Sequence, residues 1–289
     1  MSLPDPVALA VPFFALAILG EMLWGRLRGG VSYEARDSAA NLVMGFGNLA
    51  VGIPAGYAFH WCLEAVHQFR PFEIGYSWWA FALVFFAEDF CYYWFHRLSH
   101  EHRLWWCAHV NHHSSLHYNL STALRQTWTG FVSGAFVCWL PLAFVGFPPG
   151  LIVFQIGISL VYQFWIHTEA VGHMPRWFEA VFNTPSHHRV HHATNPLYLD
   201  RNYAGILIVW DRLFGTFAAE DPAEPCRYGI VRNLTSFNPF RIAFHEWAAL
   251  GRDLGRARSV RAAFGAVWGP PGWKADGTGL TSEAIRKAL

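Results

Sequence analysis

Charged residues are what this sequence lacks most. Only 14% of its 289 residues are Asp, Glu, Lys or Arg, against about 25% in an average soluble domain. The net charge is +1 and there is no long basic run, so we expect no nucleic-acid partner. With 53% hydrophobic residues, including 15 Trp and 25 Phe, the composition indicates an integral membrane protein.

Several common motifs are also missing. The five cysteines form no CxxC pair and their number is odd, which argues against a disulfide framework. We find no GxGxxG after a strand, no P-loop and no haem-attachment motif, so electrons for any redox reaction would come from another molecule. Met1–Pro6 contains no basic residue, and we therefore interpret the first apolar run as a retained helix, not a signal peptide.

Long apolar runs predict an all-α integral membrane protein with about four or five transmembrane helices, since about 20 apolar residues cross a bilayer. The Phe147–Gly150 segment, FPPG, predicts a turn. The last two runs would then form a helical hairpin. The predicted runs are about 7–24, 40–66 and 76–95, with two more between 128 and 167.

Basic residues predict the orientation of these helices. Arg26, Arg28 and Arg36 follow the first run, one arginine (Arg70) follows the second, and fourteen Lys or Arg lie beyond His167. The positive-inside rule then places the N-terminus outside and the C-terminus in the cytosol.

The chain after residue 217 has no long apolar run. We therefore predict a membrane and metal-binding domain over residues 1–217 and a cytosolic tail over residues 218–289. Within the tail, Arg241–Arg258 is typical of an amphipathic helix. It is predicted to lie on the membrane surface or to pack on the cytosolic part of the protein.

Histidines are concentrated in three short boxes: His96–His100 (HRLSH), His109–His113 (HVNHH) and His188–His192 (HRVHH). Residues at i, i+3 and i+4 share one face of a helix, so each box can direct its imidazoles toward a common point. Neutral imidazole binds iron, zinc, copper and nickel, and eight such ligands suffice for two ions. The predicted topology brings all three boxes to the cytosolic side. We therefore expect a cytosolic helical cap that holds a dinuclear metal site.

The sequence around the boxes resembles the membrane-bound fatty acid hydroxylase and sterol desaturase superfamily from about residue 81 to residue 217. The most similar branch includes bacterial sterol-desaturase-like proteins and the alkylglycerol monooxygenases. The resemblance also implies a multi-pass protein, and we expect the inner membrane of a bacterium. The motifs that carry it are Asp89–Arg97 (DFCYYWFHR), His112–Ser115 (HHSS), Asn183–His188 (NTPSHH), Tyr198–Tyr203 (YLDRNY) and Trp210–Thr216 (WDRLFGT).

That family has a diiron centre with eight histidine ligands, so the resemblance implies two iron ions, which zinc can replace in purified protein. Family members often add a ninth histidine after the hairpin, and His167 fits that place. Glu101 resembles an acidic residue that matters in the alkylglycerol monooxygenase branch, which implies a catalytic role. The implied metal ligands are His96, His100, His109, His112, His113, His167, His188, His191 and His192.

Three further residues are candidates for orienting the ligands, because metal-bound imidazoles usually donate their second N–H to an acceptor. Asp89 lies seven residues before His96 and on the same helix face. Asp200 follows the third box, and His187 precedes His188 but points about 100° away from it on a helix. An ordinary salt bridge is an alternative role for either acid.

The resemblance implies an O2-dependent diiron hydroxylase that acts on an aliphatic C–H bond of a membrane lipid: a fatty acyl chain, a sterol or an ether lipid. The external electron donor would be a cytochrome, a ferredoxin or a reduced pteridine. Two alternatives stay open. A desaturase would use the same centre to remove a second hydrogen, and a zinc membrane protein would carry out no redox chemistry.

Overall fold

The computed structural model describes residues 3–288, and within this range the chain is all α, as predicted, with no β-strand. Two isolated antiparallel bridges, Phe182–Leu207 and Ala193–Tyr228, join loops. Short 3-10 helices cover Leu120–Leu124 and Ala135–Trp139. The α-helices are α1 (Pro6–Arg28), α2 (Ala35–His67), α3 (Trp78–Glu101), α4 (Arg103–His113), α5 (Leu140–Val145), α6 (Pro149–Trp165), α7 (Arg176–Val181), α8 (Pro185–His191), α9 (Val209–Phe214), α10 (Pro239–Arg256), α11 (Val260–Trp268) and α12 (Ser282–Lys287).

Helices α1 and α2 are each long and apolar enough to cross a membrane. At 1.5 Å per residue they extend roughly 35 and 50 Å, beyond the roughly 30 Å of a bilayer's hydrocarbon core. The side chains of Asp5 and Glu34 accept backbone N–H groups at their N-termini. Large apolar side chains on both helices are exposed, for example Phe13, Phe46 and Trp61. Contiguous apolar exposure of this kind indicates contact with lipid.

Helix α3 carries the first histidine box on its last turns, because the helix continues past the apolar run, which ends at residue 95, to Glu101. A single extended residue, His102, separates it from α4, which carries the second box. The chain therefore bends tightly between the first two boxes, and the bend brings α4 against α3.

The predicted hairpin between residues 128 and 167 has only one regular limb. Its second half is α6, which begins at Pro149 as the FPPG turn predicts. Its first half contains only turns, a 3-10 helix and the short α5. Gly134 adopts a left-handed conformation (φ 77°) and Pro141 cannot extend a preceding helix. This half therefore lacks the length of a membrane-crossing helix.

The main apolar core joins α2, α3, α5 and α6 through buried residues such as Leu63, Val84, Leu142 and Leu151. Helix α1 packs on α6, where the rings of Phe14 and Phe164 stack with centroids 4.0 Å apart. The amphipathic helix predicted over Arg241–Arg258 is present as α10. It packs against α4 and the first turns of α2, close to the histidine boxes.

Candidate metal centre

The three boxes and His167 meet in the interior of the protein. Helices α3, α4 and α8 present the boxes, and His167 follows the last residues of α6. Eight of the nine imidazoles are buried, and His109 is half-buried. Burial is the main reason why the pKa of His167 falls to about 4, and the pKa values of His109, His112, His113, His188, His191 and His192 fall well below their usual range. These side chains are therefore neutral, which is the form that binds metals.

The nine histidines form two clusters, and in each the candidate ligand atoms lie within 4.8 Å of one another. Boxes two and three each contribute to both clusters, which differs from the expectation that each box directs its imidazoles to one point. The five-histidine cluster consists of His96, His100, His109, His113 and His191. The four-histidine cluster consists of His112, His167, His188 and His192.

Ring nitrogens face one another inside both clusters. In the five-histidine cluster, His109 Nε2 lies 3.0 Å from His96 Nε2 and 3.1 Å from His113 Nε2. In the four-histidine cluster, His167 Nε2 lies 3.1 Å from His112 Nε2 and 3.0 Å from His188 Nε2. A neutral imidazole has a single N–H, so hydrogen bonds alone do not satisfy three nitrogens that converge in this way. A metal ion that accepts their lone pairs does.

Unpaired ring nitrogens also indicate that these clusters bind metal ions. His100 Nε2, His191 Nε2 and His192 Nε2 are buried and have no hydrogen-bond partner among residues 3–288. An unsatisfied buried polar group costs about 1–3 kcal/mol. The two clusters, which contain only imidazole nitrogen donors, thus fit iron or zinc.

A single turn supplies polar partners to the Nδ1 atoms of three rings in the five-histidine cluster, on the side away from the cluster centre. Tyr203 O lies 2.8 Å from His96 Nδ1, Arg201 O lies 2.9 Å from His191 Nδ1, and a carboxylate oxygen of Asp200 lies 3.4 Å from His100 Nδ1. With the proton on Nδ1, each ring presents its Nε2 lone pair to the cluster. Asp200 and Asn202 have positive φ angles of 54° and 56°, a strained conformation that is concentrated at functional sites.

The predicted outer residue Asp200 therefore lies beside a ligand candidate. Burial opposes ionisation of its carboxyl, but the nearby His100 ring, the Ser282 hydroxyl and the charge of Arg286 hold its pKa below the usual range. Asp200 is thus an anion next to His100, and the interaction keeps the His100 ring in one orientation.

Asp89, another predicted outer residue, contacts no histidine of either cluster. Its carboxylate accepts the backbone N–H groups of Ile206 (2.7 Å) and Leu207 (3.0 Å) and the indole N–H of Trp210 (2.9 Å). Asp211 accepts the N–H groups of Tyr203 and Ala204 at 2.8 Å each. Together the two acids hold the loop whose Tyr203 carbonyl receives His96.

Glu101, the predicted catalytic acid, lies outside both clusters. It accepts Arg97 Nε at 2.8 Å, and its side chain is 39% exposed. Arg97 also donates to Tyr93 Oη at 3.2 Å, and the Tyr93 and Thr216 hydroxyls lie 3.0 Å apart. Because Thr216 in turn donates to Asp211, Glu101 stands at the outer end of a hydrogen-bonded chain that leads to the Tyr203 loop. Its catalytic role stays a prediction.

His187, the last predicted outer residue, is buried but belongs to neither cluster. Its ring contacts Phe217 edge-on with centroids 5.2 Å apart, and its Nδ1 has no partner in the described part of the chain. Its neighbour His188 lies in the four-histidine cluster, so the two adjacent side chains point in different directions.

Glu21 is a site residue that the sequence analysis missed. It is buried on α1 and accepts hydrogen bonds from Thr168 Oγ1, Tyr33 Oη and Leu120 N, the last at 2.8 Å. Thr168 directly follows His167, so this carboxylate links α1 to the four-histidine cluster. The available signal was its position as the one charged residue between Pro6 and Gly25 of an apolar helix.

Arg125 was also missed. It is fully buried, pairs with Asp37 of α2, and donates to Asn41 (2.6 Å) and to the hydroxyl of Ser114 (2.9 Å), which follows the second box. Neither residue stands out in the sequence, because an Arg and an Asp 88 residues apart show no pattern. Their pairing fixes the end of α4 to the start of α2.

A cavity of about 490 Å³ runs from α1 and α2 to the histidines. Partly exposed apolar residues, among them Val11, Phe46 and Leu49, line it on one side, and His109, His112 and His167 line it on the other. No Asp, Glu, Lys or Arg is among its lining residues in the described range. The cavity therefore joins the lipid-facing surface to both clusters through an uncharged passage.

Comparison with known proteins agrees with this site. A model of the fatty acid hydroxylase family matches residues 81–216, which include all nine histidines. Alkylglycerol monooxygenase of Danio rerio is 37% identical over 278 residues, or 93% of this chain and 60% of that protein. The human alkylglycerol monooxygenase is 35% identical over 283 residues, with the same coverage.

A more distant relative is an ornithine lipid hydroxylase of Rhizobium tropici, 24% identical over 212 residues, or 71% of this chain and 62% of that protein. The chain thus spans about three fifths of the length of these relatives. No solved structure matches it.

Proposed function

We propose that this chain, a member of the fatty acid hydroxylase family, is a membrane-bound monooxygenase that uses O2 to hydroxylate an aliphatic C–H bond of a membrane lipid. The observation that carries the proposal is the pair of histidine clusters beside an uncharged cavity that reaches the lipid-facing surface. The names of the relatives, alkylglycerol monooxygenase and ornithine lipid hydroxylase, support a lipid substrate.

The proposed cofactor is a pair of iron ions, one in each cluster. The five-histidine and four-histidine clusters would hold them through neutral imidazole nitrogens, and zinc would compete for the same sites. Iron supplies the redox chemistry with O2 that no protein side chain provides. Electrons would come from an external cytochrome, ferredoxin or reduced pteridine.

The protein's own residues would orient the ligands and position the substrate. Asp200 and the carbonyls of Arg201 and Tyr203 hold three imidazoles in one orientation. The cavity directs an uncharged part of a lipid toward His109, His112 and His167. Its apolar walls, such as Phe14 and Phe95, exclude water from the reacting carbon. Holding that carbon in place is the contribution of such a cavity to the rate.

In the membrane, α1, α2 and α3 would cross the bilayer, and the region of α5 and α6 would enter it without a full crossing by α5, so that about four or five segments lie in the bilayer. The N-terminus would lie outside, and the histidine clusters and C-terminus would lie in the cytosol. The inner membrane of a bacterium is the proposed location. Residues 1–217 would form the membrane and metal-binding domain, and residues 218–289 the cytosolic tail.

Isotope labelling tests this function. Iron-loaded protein with a competent reductase, offered a lipid extract under ¹⁸O2, is expected to form a lipid alcohol that contains one ¹⁸O atom. A product that lacks two hydrogens and contains no new oxygen would replace hydroxylation with desaturation. If O2 is not consumed and no lipid changes, the oxidase function is wrong. The matched control is the His113→Ala variant, which removes one proposed ligand.

A further inference from the structure

Helices α10 and α11 expose a row of large apolar side chains. On α11, Val260, Phe264 and Trp268 follow one another at intervals of four residues and are 87%, 65% and 40% exposed. On α10, Phe240 and Phe244 have the same spacing and are 66% and 43% exposed. Aromatic rows on the open face of a helix pair indicate a surface that contacts something other than water.

Arginines flank this apolar row. Five of them, Arg241, Arg252, Arg256, Arg258 and Arg261, are exposed. None forms an ion pair with another described residue. The surface formed by residues 240–268 therefore carries excess positive charge.

The two acidic residues of the same surface do not offset this charge. Glu246 and Asp253 both pair with the buried Arg103 of α4, at 2.7 and 2.6 Å. Their carboxylates thus fasten α10 to the helix that carries the second histidine box. The five arginines take no part in this pairing and keep their charge available for a partner.

The apolar row continues into a membrane helix. Ile242 and Ala243 of α10 pack against Ala40 and Met44 of α2, and the Phe240 and Phe244 rings lie against Trp128, with centroids 5.4 and 6.5 Å away. The Trp128 indole N–H donates to Met44 O at 2.9 Å. The exposed aromatic residues of α10 therefore lie next to the first turns of α2, whose Phe46 and Leu49 are exposed.

We infer that the α10–α11 surface binds the headgroup layer of an anionic phospholipid bilayer, with its aromatic side chains at the acyl boundary and its arginines at the phosphates. Lys or Arg on the polar side and Trp, Phe or Leu on the other characterise helices that lie in the membrane interface. The inference rests on the proposed membrane insertion of α2 but not on the proposed reaction.

An acidic electron-carrier protein is the other class of partner that arginines attract. The observations favour lipid, because Val260 and Phe264 are 87% and 65% exposed and the adjoining helix α10 packs against α2, which exposes its own apolar side chains. Weak electron-transfer complexes instead meet through small, transient contacts. The two partners differ in a way that an experiment can detect, because only lipid binding depends on bilayer composition in the absence of other proteins.

Hydrogen–deuterium exchange of the full chain in nanodiscs tests the inference. One set contains phosphatidylcholine alone, and the other is half phosphatidylglycerol. We expect the amides of residues 240–268 to exchange at least about fivefold more slowly in the anionic nanodiscs than in phosphatidylcholine alone. A factor of about five corresponds to the attraction between one basic residue and such a surface. High salt should remove the difference, because it screens exposed charges.

Two matched double variants show which arginines cause the difference in exchange. Arg258→Gln with Arg261→Gln should lose most of the difference between the two lipids. Arg227→Gln with Arg232→Gln, which removes two exposed arginines outside the surface, should retain it. Equal exchange in both lipids, or protection that appears only after an acidic electron carrier is added, would overturn the inference. Because exchange is measured without turnover, failure of the proposed function leaves this test unaffected.

Discussion

The two histidine clusters are built from the same boxes but held differently. The five-histidine cluster receives outer partners for three of its rings from the single turn at residues 200–203. In the four-histidine cluster, within residues 3–288, only the His167 ring has a comparable acceptor, Gln163 O at 2.7 Å. Two members of the four-histidine cluster line the cavity, against one member of the other. One cluster is thus the more firmly oriented, and the other is the more open to the cavity.

Helix geometry explains how one box serves two clusters. His109 and His113 are four residues apart and share a cluster, as do His188 and His192. The neighbouring His112 and His191 each point into the other cluster, because consecutive residues are rotated by about 100° on a helix. The adjacent pair in an HxxHH box therefore divides between two sites, which makes both boxes bridges between them.

Substitution within an adjacent pair tests this division most strongly. His112→Ala and His113→Ala should each abolish lipid hydroxylation, because both metal sites are needed. Each variant should also bind one ion fewer per chain, measured by elemental analysis, since each loses a ligand of a different cluster. His60→Ala, a partly exposed histidine of α2, should bind and react like the wild type. Loss of both ions from both variants would show that the clusters are not independent.

Asp200→Asn should affect only one cluster. Removing the carboxylate beside His100 is expected to weaken metal binding in the five-histidine cluster by about 10- to 100-fold, the usual effect of losing an outer partner. The four-histidine cluster should keep its affinity. Chelator competition followed ion by ion measures both constants, with the fully exposed Asp276→Asn as the control. Equal weakening of both sites would contradict the assignment of the turn to one cluster.

Glu21→Gln should act on the other cluster. The amide cannot accept the hydrogen bonds of Thr168, Tyr33 and Leu120 as the carboxylate does. We expect the free energy of unfolding to fall by about 1.5–3 kcal/mol, the contribution of a hydrogen bond to a charged group. Metal binding in the four-histidine cluster should weaken less than Asp200→Asn weakens the other site. Thermal unfolding in detergent measures the loss of stability, and Glu64→Gln on the exposed side of α2 is the control. If Glu21→Gln leaves the stability unchanged, Glu21 does not support the site.

Glu101→Gln should have the smallest effect. Its ion pair with Arg97 is partly exposed, and such pairs contribute about 0.2–1 kcal/mol. Because a series of hydrogen bonds links Glu101 to the Tyr203 loop, we expect the substitution to slow hydroxylation by less than about fivefold. Both ions should be retained. A loss of activity comparable to that of His113→Ala would instead establish Glu101 as a catalytic residue.

Much of this architecture could be predicted from the sequence because its signals are local. Apolar runs predicted α1, α2, α3 and α6, and box spacing predicted that the histidines gather at one buried place. The irregular segment before α5 was not predicted, because hydropathy counts apolar residues and does not register how Gly134 and Pro141 interrupt a helix. The division of the clusters depends on the directions of three packed helices, which spacing within one box cannot specify.

Long-range partners were the hardest to predict. Asp200 was recognised because it lies near the third box, whereas Glu21 reaches Thr168 across 147 positions of sequence. Asp89 was expected beside the first box, yet it binds the backbone 117 residues downstream. The loop that Asp89 binds lies far away in the sequence, so this contact becomes visible only in the fold.

Native mass spectrometry of the full chain during ferrous iron titration counts the ions that the two histidine clusters bind. If each cluster holds one ion, the wild-type protein should pass through a species with one iron and saturate with two. Saturation at a single iron, with no second binding step at any concentration, would contradict the account of two histidine clusters that each hold a metal.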